Sequence, residues 1–332
     1  MKGFCPSCQK ESELTPIHRV ENLSIKGENI SVDVKFFVCT ECNEEFDDPD
    51  PEYDPLALAY QEYRKRKGMV QPQDIRAFRE KYEITQRELS ELLGFGGATL
   101  SRYENGALQD QTHDTILHLV IFSPENLLDM IKNRQDIFGP EKQNALMTQL
   151  KDEISRSRVI REISWRPEYR NRNIFNGFRE IDIDRLINAV KVFCFQTRVY
   201  KTKLNKLLFY ADFKHFKQYG TSITGLCYAH LPHGPVPEQY DLLFQRLTEI
   251  DPSLTIEEDL ELDCSAELFH CSTSPDTNLF ILTELEVLFQ VRDYFKQYTA
   301  KRIRNFSHEE PGYKQTRHLD LISYDFAKNL QI

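Results

Sequence analysis

The sequence predicts a mainly α-helical chain with small β elements, built from a four-cysteine zinc knuckle, a helix-turn-helix bundle and a larger α+β domain. Three features predict it. Two CxxC pairs sit near the start, Cys5/Cys8 and Cys39/Cys42. Two short, capped helical patterns flank a glycine turn between Thr85 and Gly106. Beyond residue 180, apolar stripes at helical spacing alternate with turns and a Gly-Pro-Val-Pro segment.

The 332 residues suggest two or three domains at ordinary domain size. The motifs divide them into 1–52, 53–135, 136–179 and 180–332. No run of about 18 apolar residues is present, so no membrane span is expected. Met1-Lys2-Gly3-Phe4-Cys5-Pro6 lacks the apolar core of a signal peptide, which points to the cytoplasm. In that compartment eight cysteines are not a disulfide framework. The net charge of −10 excludes a uniformly basic nucleic-acid coat. Residues 1–52 carry 5 Lys and Arg against 12 Asp and Glu, whereas 61–110 carry 9 against 8, so any basic reading surface must be local.

In residues 1–52 each CxxC turn presents two thiolates, and two turns complete a tetrahedron. Pro6, Ser7 and Asn43 suit the turns. Ile30–Phe37 alternates with period two, a strand leading into the second pair. Cys5, Cys8, Cys39 and Cys42 are therefore the ligands of one structural Zn²⁺ per chain. Four thiolates close the shell against catalysis, and the metal helps to fold a segment too small for its own core. His18, between the pairs, is expected at the surface.

Asp47-Asp48-Pro49-Asp50-Pro51 reads as a hinge. Leu56–Lys67 reads as a linker helix whose last residues, Arg64 to Lys67, form a solvated basic end open to phosphate. Asp74–Lys81 is helical, with Ile75 and Phe78 inward. Thr85 and Glu88 form a capping box, Leu89, Leu92 and Leu93 an inner face, and Gly94 the stop. After Phe95-Gly96-Gly97 a second helix, Ala98–Asn105, turns Leu100 and Tyr103 inward and leaves Thr99 and Arg102 outside. This is a helix-turn-helix pattern. Arg102 suits bidentate donation to guanine, and Thr99 suits several base edges. Gly97 and Ala98 permit close approach, and Gln86 is placed for phosphate.

Ile84-Thr85-Gln86, Glu88-Leu89, Leu93-Gly94 and Ser101-Arg102-Tyr103-Glu104-Asn105-Gly106 resemble the phage-repressor (Xre) family. That resemblance implies that Arg79 and Glu104 form a buried structural pair. The paired CxxC turns followed by this helix-turn-helix resemble the MqsA/YgiT antitoxin family over roughly residues 1–130. It implies base reading by Arg102. Ala98 stands where that family has asparagine, a departure that bears on the operator sequence.

Gly139-Pro140 breaks the chain, residues 141–162 read as an amphipathic helix, and Trp165–Arg179 reads as a polar, solvated connector. Then come helices at Ile183–Phe195, Leu204–Phe216 and Tyr240–Leu247, and a turn with a short strand over Gly220–Leu231. His233–Glu238 reads as an extended loop, because two prolines exclude helix. Thr283 and Glu286 read as the capping box of a further helix, and Ser307–Gly312 as a polar turn. Asp212, His230, His233, His308 and Glu309 show no nucleophile–base pairing and no metal spacing, and Cys264 with Cys271 lacks a second half-site. These residues are expected to be structural, and the chain is not expected to be an enzyme.

Lys203 to Asp212, Ser222-Ile223-Thr224-Gly225, Gly234-Pro235-Val236-Pro237 and Ser307-His308-Glu309 together resemble the SocA/Panacea antitoxin domain over about residues 180–330. The resemblance implies a protein-binding module that neutralises a toxin; it assigns no toxin-binding residues. The expectation is a type II antitoxin with a cognate toxin, a double-stranded operator and a homodimeric state. The alternative is a zinc-containing transcriptional regulator whose last module senses a ligand or serves as a proteolysis adaptor.

Overall fold

The computed structural model of the chain describes residues 1–48, 50, 53–134, 136–259 and 266–332. Pro49 and Pro51 of the expected hinge, the segment ends at 52 and 135, and Cys264 lie outside them. The chain is mainly α-helical with small β elements and divides into two compact units, Met1–Lys151 and Asp152–Ile332. Among the described residues no helix is long and apolar enough to cross a membrane.

Unit 1 opens with an antiparallel sheet in sequence order: β1 (Lys2–Cys5), β2 (Lys10–Ile25), β3 (Glu28–Cys39) and β4 (Glu45–Asp47). The expected strand is the middle of β3. Its long partner β2 is mostly exposed and polar, so no apolar alternation marks it. Alternation along β3 sends Ile30, Val32, Val34 and Phe36 to one face and Phe37 and Cys39 to the other.

The first β3 face is covered by α1 (Pro55–Lys67), through Ala59 and Tyr63. This corrects the reading of α1 as a linker, because the sheet borrows it as the second layer of a core. Asp54 caps α1 by accepting from the Leu56 N–H at 2.8 Å. Gly68, at φ 63°, ends it. The basic end is corrected too. Arg64 is 2% exposed and donates to the Gly106 and Ala107 carbonyls at 2.6 and 2.7 Å and to Gln109 Oε1 at 2.9 Å. It thereby bonds α1 to the chain that leaves the helix-turn-helix.

The rest of unit 1 is helical: α2 (Pro72–Lys81), α3 (Gln86–Leu93), α4 (Thr99–Glu104), α5 (Gln111–Ile121) and α6 (Pro124–Asn133). Thr85 accepts from the Glu88 N–H at 3.2 Å while the Glu88 carboxylate accepts from the Thr85 N–H at 2.8 Å, which fixes the start of α3. Leu89, Leu92, Leu100 and Leu117 are buried inside the bundle. α7 (Pro140–Ile163) begins here, with Leu146 and Leu150 buried, and runs on into unit 2.

Unit 2 comprises α8 (Ile183–Cys194), β5 (Val199–Tyr200), α9 (Lys201–Tyr219), β6 (Tyr228–Leu231), β7 (Gly234–Pro237), α10 (Tyr240–Ile250), β8 (Leu254–Asp259), β9 (Ala266–Cys271), α11 (Leu282–Tyr294), α12 (Ala300–His308) and α13 (Pro311–Gln315). α9 is its core helix: Leu204, Leu207, Leu208, Tyr210, Ala211 and Phe213 are all buried, as two apolar stripes require. Small antiparallel sheets, β5-β9-β8 and β6-β7, complete the unit.

Four expectations for unit 2 are corrected. The expected connector over 165–179 is packed: Tyr169 and Asn176 are buried, Arg166 pairs with Glu238, and Arg179 pairs with Glu284 at 2.7 Å. The Gly-Pro-Val-Pro segment is the strand β7, with Pro235 opposite His230, because prolines are tolerated on a two-stranded edge. The start of α11 is held by Glu284, whose carboxylate accepts from the Ile281 N–H at 2.9 Å, rather than by Thr283 and Glu286. Ser307–Gly312 is the junction of α12 and α13, where Ser307 and Glu310 are buried.

Candidate functional site

The four knuckle cysteines come together because the sheet folds both CxxC turns to one end. Each turn is closed the same way: Gln9 N donates to Cys5 O at 2.9 Å, and Asn43 N donates to Cys39 O at 2.9 Å. Gln9 and Asn43 both take positive φ, 53° and 57°. A Cβ on Gly3, under the first turn, would lie 2.6 Å from Leu14 Cδ1, so the buried Leu14 side chain would have to shift.

The four sulfurs lie within 4.8 Å of one another, with Cys5–Cys42 at 3.6 Å and Cys8–Cys39 at 3.9 Å. A tetrahedral ion with metal–sulfur bonds of about 2.3 Å needs an edge of about 3.8 Å. These distances are far beyond a disulfide bond of about 2.05 Å. The cluster can therefore hold a metal ion. The backbone N–H of Cys42 holds the Cys39 thiol down to about 6, while the hydrogen bond shared with Cys42 pushes Cys8 up to about 12. Four ionised thiols at this spacing need a cation among them. His18 stands apart on the exposed sheet surface, 3.0 Å from Asp33 Oδ2.

In the helix-turn-helix, Leu100 and Tyr103 are buried, Thr99 is half-buried, and Gly97, Ala98 and Arg102 are exposed. α4 starts at Thr99, with Ala98 flanking it. The Arg102 side chain makes no hydrogen bond or ion pair with other described residues. Glu104, 3% exposed, accepts from Arg79 Nε at 2.6 Å and Nη2 at 2.9 Å. The Gln86 amide donates to the same carboxylate at 2.6 Å, joining the start of α3 to the end of α4. Burial pushes the Glu104 carboxyl up, but the bonds from Arg79 and Gln86 outweigh it and hold it below the usual range. The Arg64–Gln109 clamp was missed by the sequence reading. An arginine inside a run of four cations carries no mark of burial.

In unit 2 the distinctive sequence blocks meet at two polar junctions. Asp212 is fully buried and accepts from the Ile223 and Thr224 N–H groups at 2.8 Å and from Tyr228 Oη at 2.7 Å. Burial raises its carboxyl above the usual value. Lys206, also buried, donates to the Pro235 carbonyl at 2.7 Å. Gly234, at φ 96°, fits where a Cβ would lie 2.7 Å from Ser307 Oγ and 3.0 Å from His308 Cδ2. His230 Nδ1 lies 2.8 Å from the Thr316 carbonyl, and Glu309 pairs with Lys314 at 2.5 Å. His233 lines a surface cleft in this unit.

Residues 1–132 match the family of the antitoxin component of bacterial toxin-antitoxin systems, MqsA. Residues 204–314 match the family of the SocA-like antitoxin, Panacea domain. No curated protein and no solved structure matches the chain.

Proposed function

From the premise that this chain joins an MqsA-type antitoxin region to a SocA-like Panacea antitoxin region, we propose that it neutralises a cognate toxin by direct binding and represses its own operon. In this reading 1–52 is the zinc domain, 53–135 the DNA reader, and 180–332, with the packed stretch 165–179 beside it, the toxin-binding domain. The two antitoxin families carry the proposal. For the DNA-reading half, the supporting geometry is an exposed, unpaired Arg102 on a helix anchored from behind by the Arg79–Glu104 pair.

Zinc is the metal that four thiolates at tetrahedral spacing suit best, and a closed shell of four cysteines makes it structural. Cys5, Cys8, Cys39 and Cys42 hold it and keep the two turns together. Arg102 and Thr99 read base edges, Gly97 and Ala98 let the helix approach, and the start of α3 at Gln86 lies on phosphate. A homodimer presents two reading helices to two half-sites of an operator. The protein works in the cytoplasm, by binding rather than by catalysis.

A reporter placed behind the chain's own upstream DNA tests the repressor half. Expression of the chain silences the reporter, and Arg102→Ala restores it. A reporter indifferent to the wild-type chain would remove operon repression from the account.

A further inference from the structure

Unit 2 carries a surface trough rich in Lys and Arg. One cleft, of about 760 Å³, lies between the start of α9, the β6–β7 turn and the start of α12. A second, of about 460 Å³, adjoins it along β5 and the end of α11, and the two share Tyr200, Thr299 and Ala300. Among the described residues they are lined by eight Lys or Arg against three Asp or Glu, in a chain of net charge −10.

All three acids are already occupied. Asp241 and Glu267 both pair with Lys201, and Asp293 pairs with Arg292 at 3.0 Å. Lys203, Lys206, Lys296, Lys301 and Arg304 have no carboxylate partner among the described residues. Lys203 reaches only the Lys296 carbonyl, at 3.3 Å, and Lys206 only that of Pro235. Among the described residues Arg304 Nε is buried without a hydrogen-bond partner, and so is the amide oxygen of Asn205, a cleft-lining residue 2% exposed. Burial and the neighbouring Arg304 guanidinium push the Lys206 ammonium well below its usual value. Like charges gathered in a recess cost free energy that a bound anion recovers.

We propose that this trough docks an acidic segment of a partner protein, whose carboxylates are taken by Lys203, Lys296, Lys301 and Arg304. The proposal rests on the reading of unit 2 as a protein-binding module. Nucleic acid, the other polyanion, also needs open aromatic faces on which bases stack. Two of the lining tyrosines are engaged: Lys201 lies over Tyr240 at 5.5 Å, and Arg302 lies over Tyr298 at 4.1 Å. What remains is a row of point charges and donors, which suits carboxylates.

The test uses the full chain and the double substitution Lys296→Glu with Lys301→Glu. Both side chains are exposed, so the fold is kept, and an unchanged melting temperature checks this. Fluorescence anisotropy follows a labelled octaglutamate peptide, an octaglutamine control and an oligothymidine of the same length. The wild-type chain binds octaglutamate but not octaglutamine, and the double variant weakens that binding by about tenfold or more, as lost charge contacts on an open surface allow. Octaglutamate binding that survives the charge reversal overturns the proposal. Oligothymidine binding that falls as far as octaglutamate binding also overturns it, because the trough would then be a nucleic-acid surface. Growth rescue from the toxin is scored separately. Failure by the wild-type chain removes the antitoxin reading and leaves the peptide result standing. Rescue by the wild type and equally by the double variant overturns the trough as the toxin's seat.

Discussion

Glu104 is one buried carboxylate that ties together the helices of the helix-turn-helix. It holds Arg79 and Gln86 together behind α4, so Arg102 is presented on a fixed support. Replacing Glu104 with Gln strands a largely buried arginine. The loss should be about 3 kcal/mol, the lower end for breaking a buried pair, read from urea unfolding. The Glu104 carboxyl is held below its ordinary value. Its contribution is therefore present above that value and is lost as pH falls below it. Arg102→Ala should leave stability alone and weaken operator binding by about 1–3 kcal/mol with relaxed sequence preference, measured by gel shift across operator variants. Glu310 has the opposite sign. Its carboxylate is 1% exposed, and burial, only partly offset by Tyr210 and the Gln331 backbone, pushes it up to about 7. A raised carboxyl favours the folded state below the unfolded value of 4.5 and loses that contribution as pH rises to about 7. Glu310→Gln should therefore melt progressively higher than wild type across this window, and parallel melting curves at every pH would contradict the assignment.

At the scale of elements, what was legible is what local chemistry decides. The Thr85–Glu88 capping box, the glycine stop at Gly94 and the double stripe of α9 all follow from near neighbours in sequence, and the structure has them. β2 was not legible, because its apolar residues are few and its partner lies across a turn. Arg64 was misread because its acceptors, the Gly106 and Ala107 carbonyls, are some forty residues away. The start of α11 was misassigned by two positions, because Glu284 serves the Ile281 N–H and the two arginines Arg179 and Arg185 at once. The two faces of β3 make a prediction about metal. Ile30, Val32 and Val34 pack on α1, whereas Phe37 and Cys39 pack with Cys5 and Leu14 around the knuckles. A chelator should speed amide exchange over 3–9 and 37–46 while α1 and the far end of the hairpin stay protected. Uniform loss of protection across 1–67 would show that the metal supports the whole sheet.

At the scale of the molecule, the sequence carried the two antitoxin resemblances because their blocks are compact and chemically odd: paired cysteines, a glycine-turned helix pair, and a Gly-Pro-Val-Pro segment. It did not carry how those blocks meet. Only the fold shows Gly234 wedged against Ser307 and His308, or Asp212 binding the N–H groups of Ile223 and Thr224. Nor could it show that the arginine-rich stretch before 180 is packed structure, since the partners of Arg166 and Arg179 lie at Glu238 and Glu284. The account assigns DNA reading to the first unit and toxin binding to the second. Each unit has its own buried core, so each can be expressed separately. The direct measurement is growth of cells expressing the cognate toxin together with residues 1–151 or with residues 152–332. Rescue by 152–332 and none by 1–151 is the predicted result; rescue by 1–151 alone would contradict the account and make the cysteine knuckles the neutralising surface.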